Sequence, residues 1–413
     1  MTHALSNLHV VEFAAYAAGP VIGKFLGNHG ATVIHVESAS RPDGFRQQYP
    51  PFKDNKPGLN RAALFALCND STLGVTVDLK NPHSRIAKEA LVKWADVIIE
   101  NFTPGTVERL GLDYKTVSQI NPRLIMLSTS NMGQRGPYAK HPGFGSQLSS
   151  YAGFTHLTGY GDDPPTLLYG PYIDYIAVGM GMAAVLAALV QRERTRRGQH
   201  IDLSQLATGV HFMASPLLDV QINGVVATRR GHWHRWASPY GVFPCEGEDR
   251  WCAISVYADS EWIALKHALG DPDWAETPED WNTVMGRLRD RDVIAMHLAA
   301  WTRTQDVFWV VRQLQSFGVH SAVVLNVDEL YQDPQLAERQ FWRPLEHATL
   351  GPFNFQGPSW QLSETPWEIR APSPLLGEHN IRVFEELLAL DPDTVRFLVE
   401  SGVLEELPHS ESS

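Results

Sequence analysis

The chain has 413 residues, 44% hydrophobic and 19% charged, a length that calls for more than one core and a composition that excludes a disordered polymer. Its formal charge of -12 excludes a general nucleic-acid binder, which needs a basic face for phosphates. Three cysteines, Cys68, Cys245 and Cys252, are too few and too scattered for a disulfide framework or a paired metal site, and they fit a reducing cytoplasm.

Residues 1–9 lack the basic start and long apolar stretch of a secretory signal. Residues 8–13 then read as a strand, 20–29 as a helix and 32–37 as a second strand, which makes a βαβ unit. The alternation continues with a strand at 75–79, a helix at 82–94 and strands at 97–99 and 124–128. Such a pattern predicts an α/β fold, a large doubly wound parallel sheet with helices on both faces. Ligands meet such sheets at the carboxyl ends of the strands, so the loops beginning at Phe13, Glu37, Glu100 and Ser128 should converge on the site.

The apolar run 175–190 falls short of the roughly 20 residues that span a bilayer and reads as a buried helix, so no membrane partner is expected. RERTRRG after it reads as a solvated helix end rather than a phosphate patch. A further helix is expected over 203–223. From Arg229 the chain turns rich in Trp, His and Pro, and SPYGVFPCEGEDRWCAISVY has the form of a hairpin around an acidic, Gly-containing turn. A strand at 318–325 and a helix at 328–340 follow, then a Pro- and Gly-rich stretch, a helix at 380–388 and a frayed tail, HSESS. The expected organisation is a large α/β domain from 1–223, a smaller mixed α+β domain from 224–327, and a return segment, 328–413, that completes the large domain.

Several residues stand out chemically. The loop Ala14 to Pro20 lacks the G-x-G-x-x-G fingerprint and reads as an ordinary strand-to-helix turn with proline at the first helical position. Asn101 and Phe102 follow a strand end, with Arg109 in the next helix. Amide, aromatic face and guanidinium could hold an adenine nucleotide, and a strand end with a surface arginine reads equally well. His232 and His234 alternate but lack a third ligand nearby, so a structural or substrate-lining role is expected, not metal. Trp233 and Trp236 read as core aromatics or as a wall for a bulky acyl group. Asp174, judged on its neighbours alone, reads as a helix N-cap.

ENFTPGTVERLGLDY resembles the hallmark of the class III CoA-transferases, the family of formyl-CoA and carnitine-type CoA-transferases and 2-methylacyl-CoA racemase. The resemblance runs along nearly the whole chain, through VVEFAAYAAGP, ATVIHVE, VTVDLKNP, NMGQRGPYAKHPGF, AALVQRERTRRGQHIDLS, SPYGVFPC, FGVHSAVV, DPQLAERQFW and APSPLLGEHN. It implies an acyl-CoA:carboxylate CoA-transferase with no permanently bound cofactor and with coenzyme A arriving as acyl-CoA, succinyl-CoA or an aromatic acyl-CoA being the expected donors. It makes Asp174 the catalytic nucleophile, passing through an aspartyl anhydride and an aspartyl-CoA thioester. It places CoA against Tyr16, Ala17, Ala18, Val77, Lys80, Asn101, Phe102 and Arg109. It also implies an interlocked homodimer, or a heterodimer with a related chain. Glycines of NMGQRGP and of the loop before Asp174 are expected to supply oxyanion donors.

The chain departs from the family in places. Ser38 stands where a basic residue is common, so Arg41 or Arg46 is expected to take its charge, and His35 stands where lysine is usual. GHWHRWASPYG has no glycine run where the formyl-CoA type has a glycine-rich lid. Phe144 and Gly145 occupy the racemase's acid-base positions, and Phe144 carries no proton, which disfavours the alternative of an acyl-CoA racemase or isomerase. A second alternative is a structural subunit of a hetero-oligomeric transferase.

Overall fold

Alternating apolar side chains send the first strands into two separate cores. The computed structural model describes residues 3–405. In β1 (His9–Phe13), Val11 and Phe13 enter one core and Val10 the other, and β2 (Thr32–Glu37) divides in the same way. β3 (Leu73–Thr76), β4 (Val97–Glu100), β5 (Ile125–Ser130) and β6 (His200–Ser204) complete a parallel sheet of order β3-β2-β1-β4-β5-β6. The order reverses at β1 and β4, where Val10 pairs with Val97. The loops leaving those two strands run apart there and open a crevice.

One face of the sheet is covered by Ala87, Leu91 and Val92 of the helix Arg85–Trp94 and by Phe384, Val395 and Leu398 from the C-terminal segment. The other is covered by α1 (Ala18–Asn28) and α2 (Tyr172–Thr195). Burial of Val178, Met182 and Val185 of α2 contributes roughly 1.5 to 3 kcal/mol each.

α2 departs from expectation. It has 24 residues and is, by length and composition, long and apolar enough to cross a membrane. Only one face is buried; Met180, Leu186 and Val190 are exposed. Gly181 explains the close seat of the buried face, since a Cβ there would lie 2.6 Å from Ile22 Cδ1.

Other boundaries also differ. The helix expected over 203–223 is β6 followed by α3 (Gln205–Phe212) and α4 (Ala214–Asn223). α1 starts two residues before Pro20, which is therefore its third residue and not its first. The helix expected over 328–340 is two short turns, Glu329–Gln332 and Pro334–Glu338, separated by Asp333. An antiparallel hairpin, Trp342–His347 with Gly351–Gln356, and a last helix, Pro392–Glu400, lie in the stretch read as largely irregular. HSESS lies outside the described residues.

The chain forms two compact units. Residues 3–154, 167–224 and 334–405 make the first; Thr155–Thr166 and Val225–Asp333 make the second. The second has its own core around Trp262, Ile254 and Leu298. Its antiparallel sheet joins Tyr240–Pro244 and Trp251–Ser255, the expected hairpin, to His320–Val323.

Candidate active site

The carboxyl ends of β1, β2, β4 and β5 all lead into two adjoining cavities of the larger unit. One, of about 320 Å³, is lined by Tyr16, Ala17, Ala18, Asn101, Phe102 and Asp174 among others. The second, of about 900 Å³, is a groove that shares Tyr16, Asn101 and Phe102 with the first and continues past Val77, Lys80 and Arg109. All nine residues that the resemblance assigned to catalysis and CoA therefore line these two adjoining cavities.

Asp174 is the third residue of α2, whose N-cap is Pro171, so it is not the cap its neighbours suggested. A capping carboxylate would be held by backbone N–H groups. This one accepts no hydrogen bond among the described residues, and burial pushes its pKa up to about 6. Its Oδ2 sits so close to Gly145 that a Cβ there would lie 2.7 Å from it and equally close to Pro171 Cβ. Gly145 has an ordinary backbone and is required for space alone. It opens the short helix Gly145–Tyr151, and the preceding turn is pinned by Asn131 Nδ2 donating to the Gly143 carbonyl at 2.7 Å.

The loop after β1 is held from both sides. Asn101 Nδ2 donates to the Ala15 carbonyl at 2.7 Å, and the Ala15 amide donates back to Asn101 Oδ1 at 2.9 Å. The Asn101 amide is thus spent as a clamp between the β1 and β4 loops rather than left free for a ligand. Tyr16 adopts φ 64°, and its amide donates to both oxygens of Asp43 at 3.0 Å. Burial raises Asp43 to about 6, with these backbone bonds opposing the rise. On the β4 side Glu100 accepts from the Phe102 amide at 3.0 Å, and burial pushes it up to about 7.

Along the groove, Lys80 and Arg109 are exposed, while Val77 is buried in its floor. Arg109 donates to Thr106 Oγ1 at 2.9 Å, which leaves most of its guanidinium free. Arg41 lines the groove, as does Ser38. Arg46 does not: it is buried, paired with Glu37 through Nε and Nη2 at 2.9 Å, and stacked 3.4 Å over Phe65. His35 is also buried, 3.2 Å from Glu12, because an inward position on β2 cannot reach the groove.

Four lining residues were not singled out from the sequence, although Asn131 and His141 lie within NMGQRGPYAKHPGF. His141 brings an imidazole to the Asp174 cavity. Thr129 Oγ1 and Gln205 Oε1 are buried at its wall without a hydrogen-bond partner among the described residues, and Asn131 lines the same cavity. Buried polar atoms are rarely left so, and these two suit a bound ligand or water. The glycines expected as oxyanion donors, Gly133, Gly136 and Gly170, do not line this cavity; Gly143 and Gly145 do.

In the RERTRRG segment, Arg192 is buried against Asp96 at 2.8 Å and Arg196 lies 3.5 Å from Glu193. In the second unit His232 packs edge-on to Tyr160 and His234 lies against Tyr240, and among the described residues no group of three or more His, Cys, Asp or Glu could hold a metal. Trp236 is exposed, so it is no core residue.

The chain is similar to known CoA-transferases along nearly its whole length. The chain is 29% identical over 400 residues to a succinyl-CoA–D-citramalate CoA-transferase of Chloroflexus aurantiacus, covering 97% of this chain and 98% of that one. It is 31% identical over 394 residues to a succinate–glutarate CoA-transferase of Agrobacterium fabrum, covering 94% and 96%. The crystal structure of a CAIB/BAIF family protein from Brucella suis superposes with a TM-score of 0.84 at 28% identity, over 94% of this chain and all of that one. The model of CoA-transferase family III matches residues 5–380, and the chain therefore belongs to that family of CoA-transferases.

Proposed function

We propose that the protein transfers CoA reversibly between an acyl-CoA and a carboxylic acid with Asp174 as nucleophile. The observation that carries this reading is a carboxylate with no hydrogen-bond partner among the described residues, in a cavity that adjoins a groove of about 900 Å³. A carboxylate lifted to about 6 is ionised at neutral pH yet poorly solvated, the state in which it attacks a thioester most readily.

An Asp174 oxygen attacks the acyl-CoA carbonyl, the C–S bond breaks, and an aspartyl anhydride and CoA thiolate result. The thiolate attacks the aspartyl carbonyl, expelling the donor acid and leaving an aspartyl-CoA thioester. The acceptor carboxylate repeats the two steps in reverse, and Asp174 returns to a carboxylate. Holding the thiolate in the groove makes each attack effectively intramolecular. Tyr16, Ala17 and Ala18 meet the pantetheine or adenine side, Val77 and Lys80 the adenine and ribose phosphate, and Phe102 and Arg109 the diphosphate, with Asn101 fixing the loop that positions them. Succinyl-CoA and aromatic acyl-CoAs are the donors to try first, and cytoplasmic enzyme, acting as a homodimer or with a related chain, fits three free buried cysteines and the exposed apolar face of α2.

The test is mass spectrometry of the Asp174 peptide after incubation with succinyl-CoA and with an aromatic acyl-CoA. A CoA adduct on Asp174, absent from Asp174→Ala, is expected; full transferase activity in Asp174→Ala would sink the mechanism. His141 favours a second reading, racemisation, because it adds an acid-base group to the cavity where Phe144 supplies none. Deuterium uptake at the α-carbon without CoA transfer, lost in His141→Ala, would support it.

A further inference from the structure

The second unit carries an open pocket of about 550 Å³ with a lining unlike those already described. Arg229, Arg230, Arg235 and Arg291 border it against one carboxylate, Asp162. In a chain of net charge -12 this is a local reversal of sign. Guanidinium groups do not shed their protons, so four on one cavity repel one another unless anions neutralise them.

Little of that neutralisation comes from the protein. Arg229, Arg230 and Arg291 form no ion pair among the described residues. Arg229 donates to the His156 carbonyl at 3.2 Å, while its Nε is buried without a partner. Arg291 lies 4.7 Å over the ring of Trp233. Stacking of this kind fixes the guanidinium plane and leaves its edge free to donate.

The cavity is also preformed. Its two bordering turns are tied by the Gly231 amide donating to the Gly159 carbonyl at 2.9 Å and by Tyr160 packing edge-on to His232 at 5.5 Å. Trp233, Tyr160 and Leu288 line the same pocket and give it an apolar wall. Separate forked donors around such a wall suit two carboxylates joined by a short carbon chain. Inorganic phosphate would use the charge and leave the wall unfilled.

We propose that the second unit binds a short-chain dicarboxylate in this cavity, independently of Asp174. The site goes beyond the transferase reading and does not need it, because binding is read directly. Calorimetric titration of the full chain with glutarate, butyrate and inorganic phosphate tests it. Glutarate should bind saturably and about tenfold or more tighter than the other two, and Arg230→Gln and Arg291→Gln should each weaken it about tenfold. Asp174→Ala should bind as the native chain does, whatever its effect on transfer. The Arg230 side chain makes no hydrogen bond or ion pair among the described residues, so an unchanged melting temperature in Arg230→Gln keeps the test clean if Arg291→Gln unfolds. No saturable heat with glutarate up to about 10 mM, binding unchanged in both arginine variants, loss of binding in Asp174→Ala, or phosphate binding as tightly as glutarate would each overturn the proposal.

Discussion

Burial alone moves Asp174 from 3.8 to about 6, so the folded chain holds a proton over a window in which the unfolded chain has lost it. The stability this proton brings is complete below about pH 4 and is lost as pH rises through about 6. Asp174→Asn, which never ionises, should therefore be more stable than the native chain by about 3 kcal/mol at pH 8 and nearly equal to it at pH 4. Transfer should be abolished in the same variant. In the native enzyme, kcat/KM should fall about tenfold per pH unit below pH 6, as the nucleophile is protonated. Denaturant unfolding at both pH values and a pH-rate profile check this; equal stabilities at pH 8 would show that the carboxylate is not desolvated. None of this was legible from Asp174's neighbours, which suggested a cap, because capping depends on where the helix begins. The family resemblance selected the residue, and its burial without a hydrogen-bond partner among the described residues supports the proposed role. Gly145 was noticed only as a missing racemase group, since a sequence does not show which atoms a glycine lets approach.

At the scale of elements, the reversal of strand order between β1 and β4 creates the crevice, and Asn101 ties its two edges. Removing two part-buried hydrogen bonds at about 1 kcal/mol each is expected to loosen the β1 loop. Asn101→Ala should raise KM for acyl-CoA about tenfold or more with a smaller change in kcat. Steady-state kinetics would decide, and an unchanged KM would show that the loop keeps its shape without the clamp. The first five strands were legible because both faces are buried and their apolar runs are bounded by turns. β6 was not: HIDLS is polar at alternate positions and half exposed at the sheet edge, so its last two residues read as the start of the helix that follows. The hairpin Trp342–His347 with Gly351–Gln356 was missed for a related reason, since prolines at 344 and 352 argue against strands unless the strands are at an edge.

For the whole molecule, the apolar surface of the larger unit exceeds what a lone chain hides. Leu186 and Val190 on α2, Phe212 on α3, and Leu217, Leu218 and Ile222 on α4 are all at least 41% exposed. Single exposed leucines need no explanation, but three consecutive helices presenting them do. The same surface explains how a 24-residue helix can look like a membrane span: its outer face lacks the charges a solvated helix would carry. A second copy of the chain covers such a face without new chemistry, because a twofold interface matches a patch with itself. Light scattering at micromolar concentration should therefore give twice the mass of the chain. Leu217→Glu with Leu218→Glu should shift it to the single-chain mass, since two like charges at the centre of a twofold contact meet their copies. A native chain that stays at single mass alone, and doubles only when a sequence-related chain is added, would replace the homodimer with a heterodimer. A native chain at single mass under both conditions would leave the face to another partner.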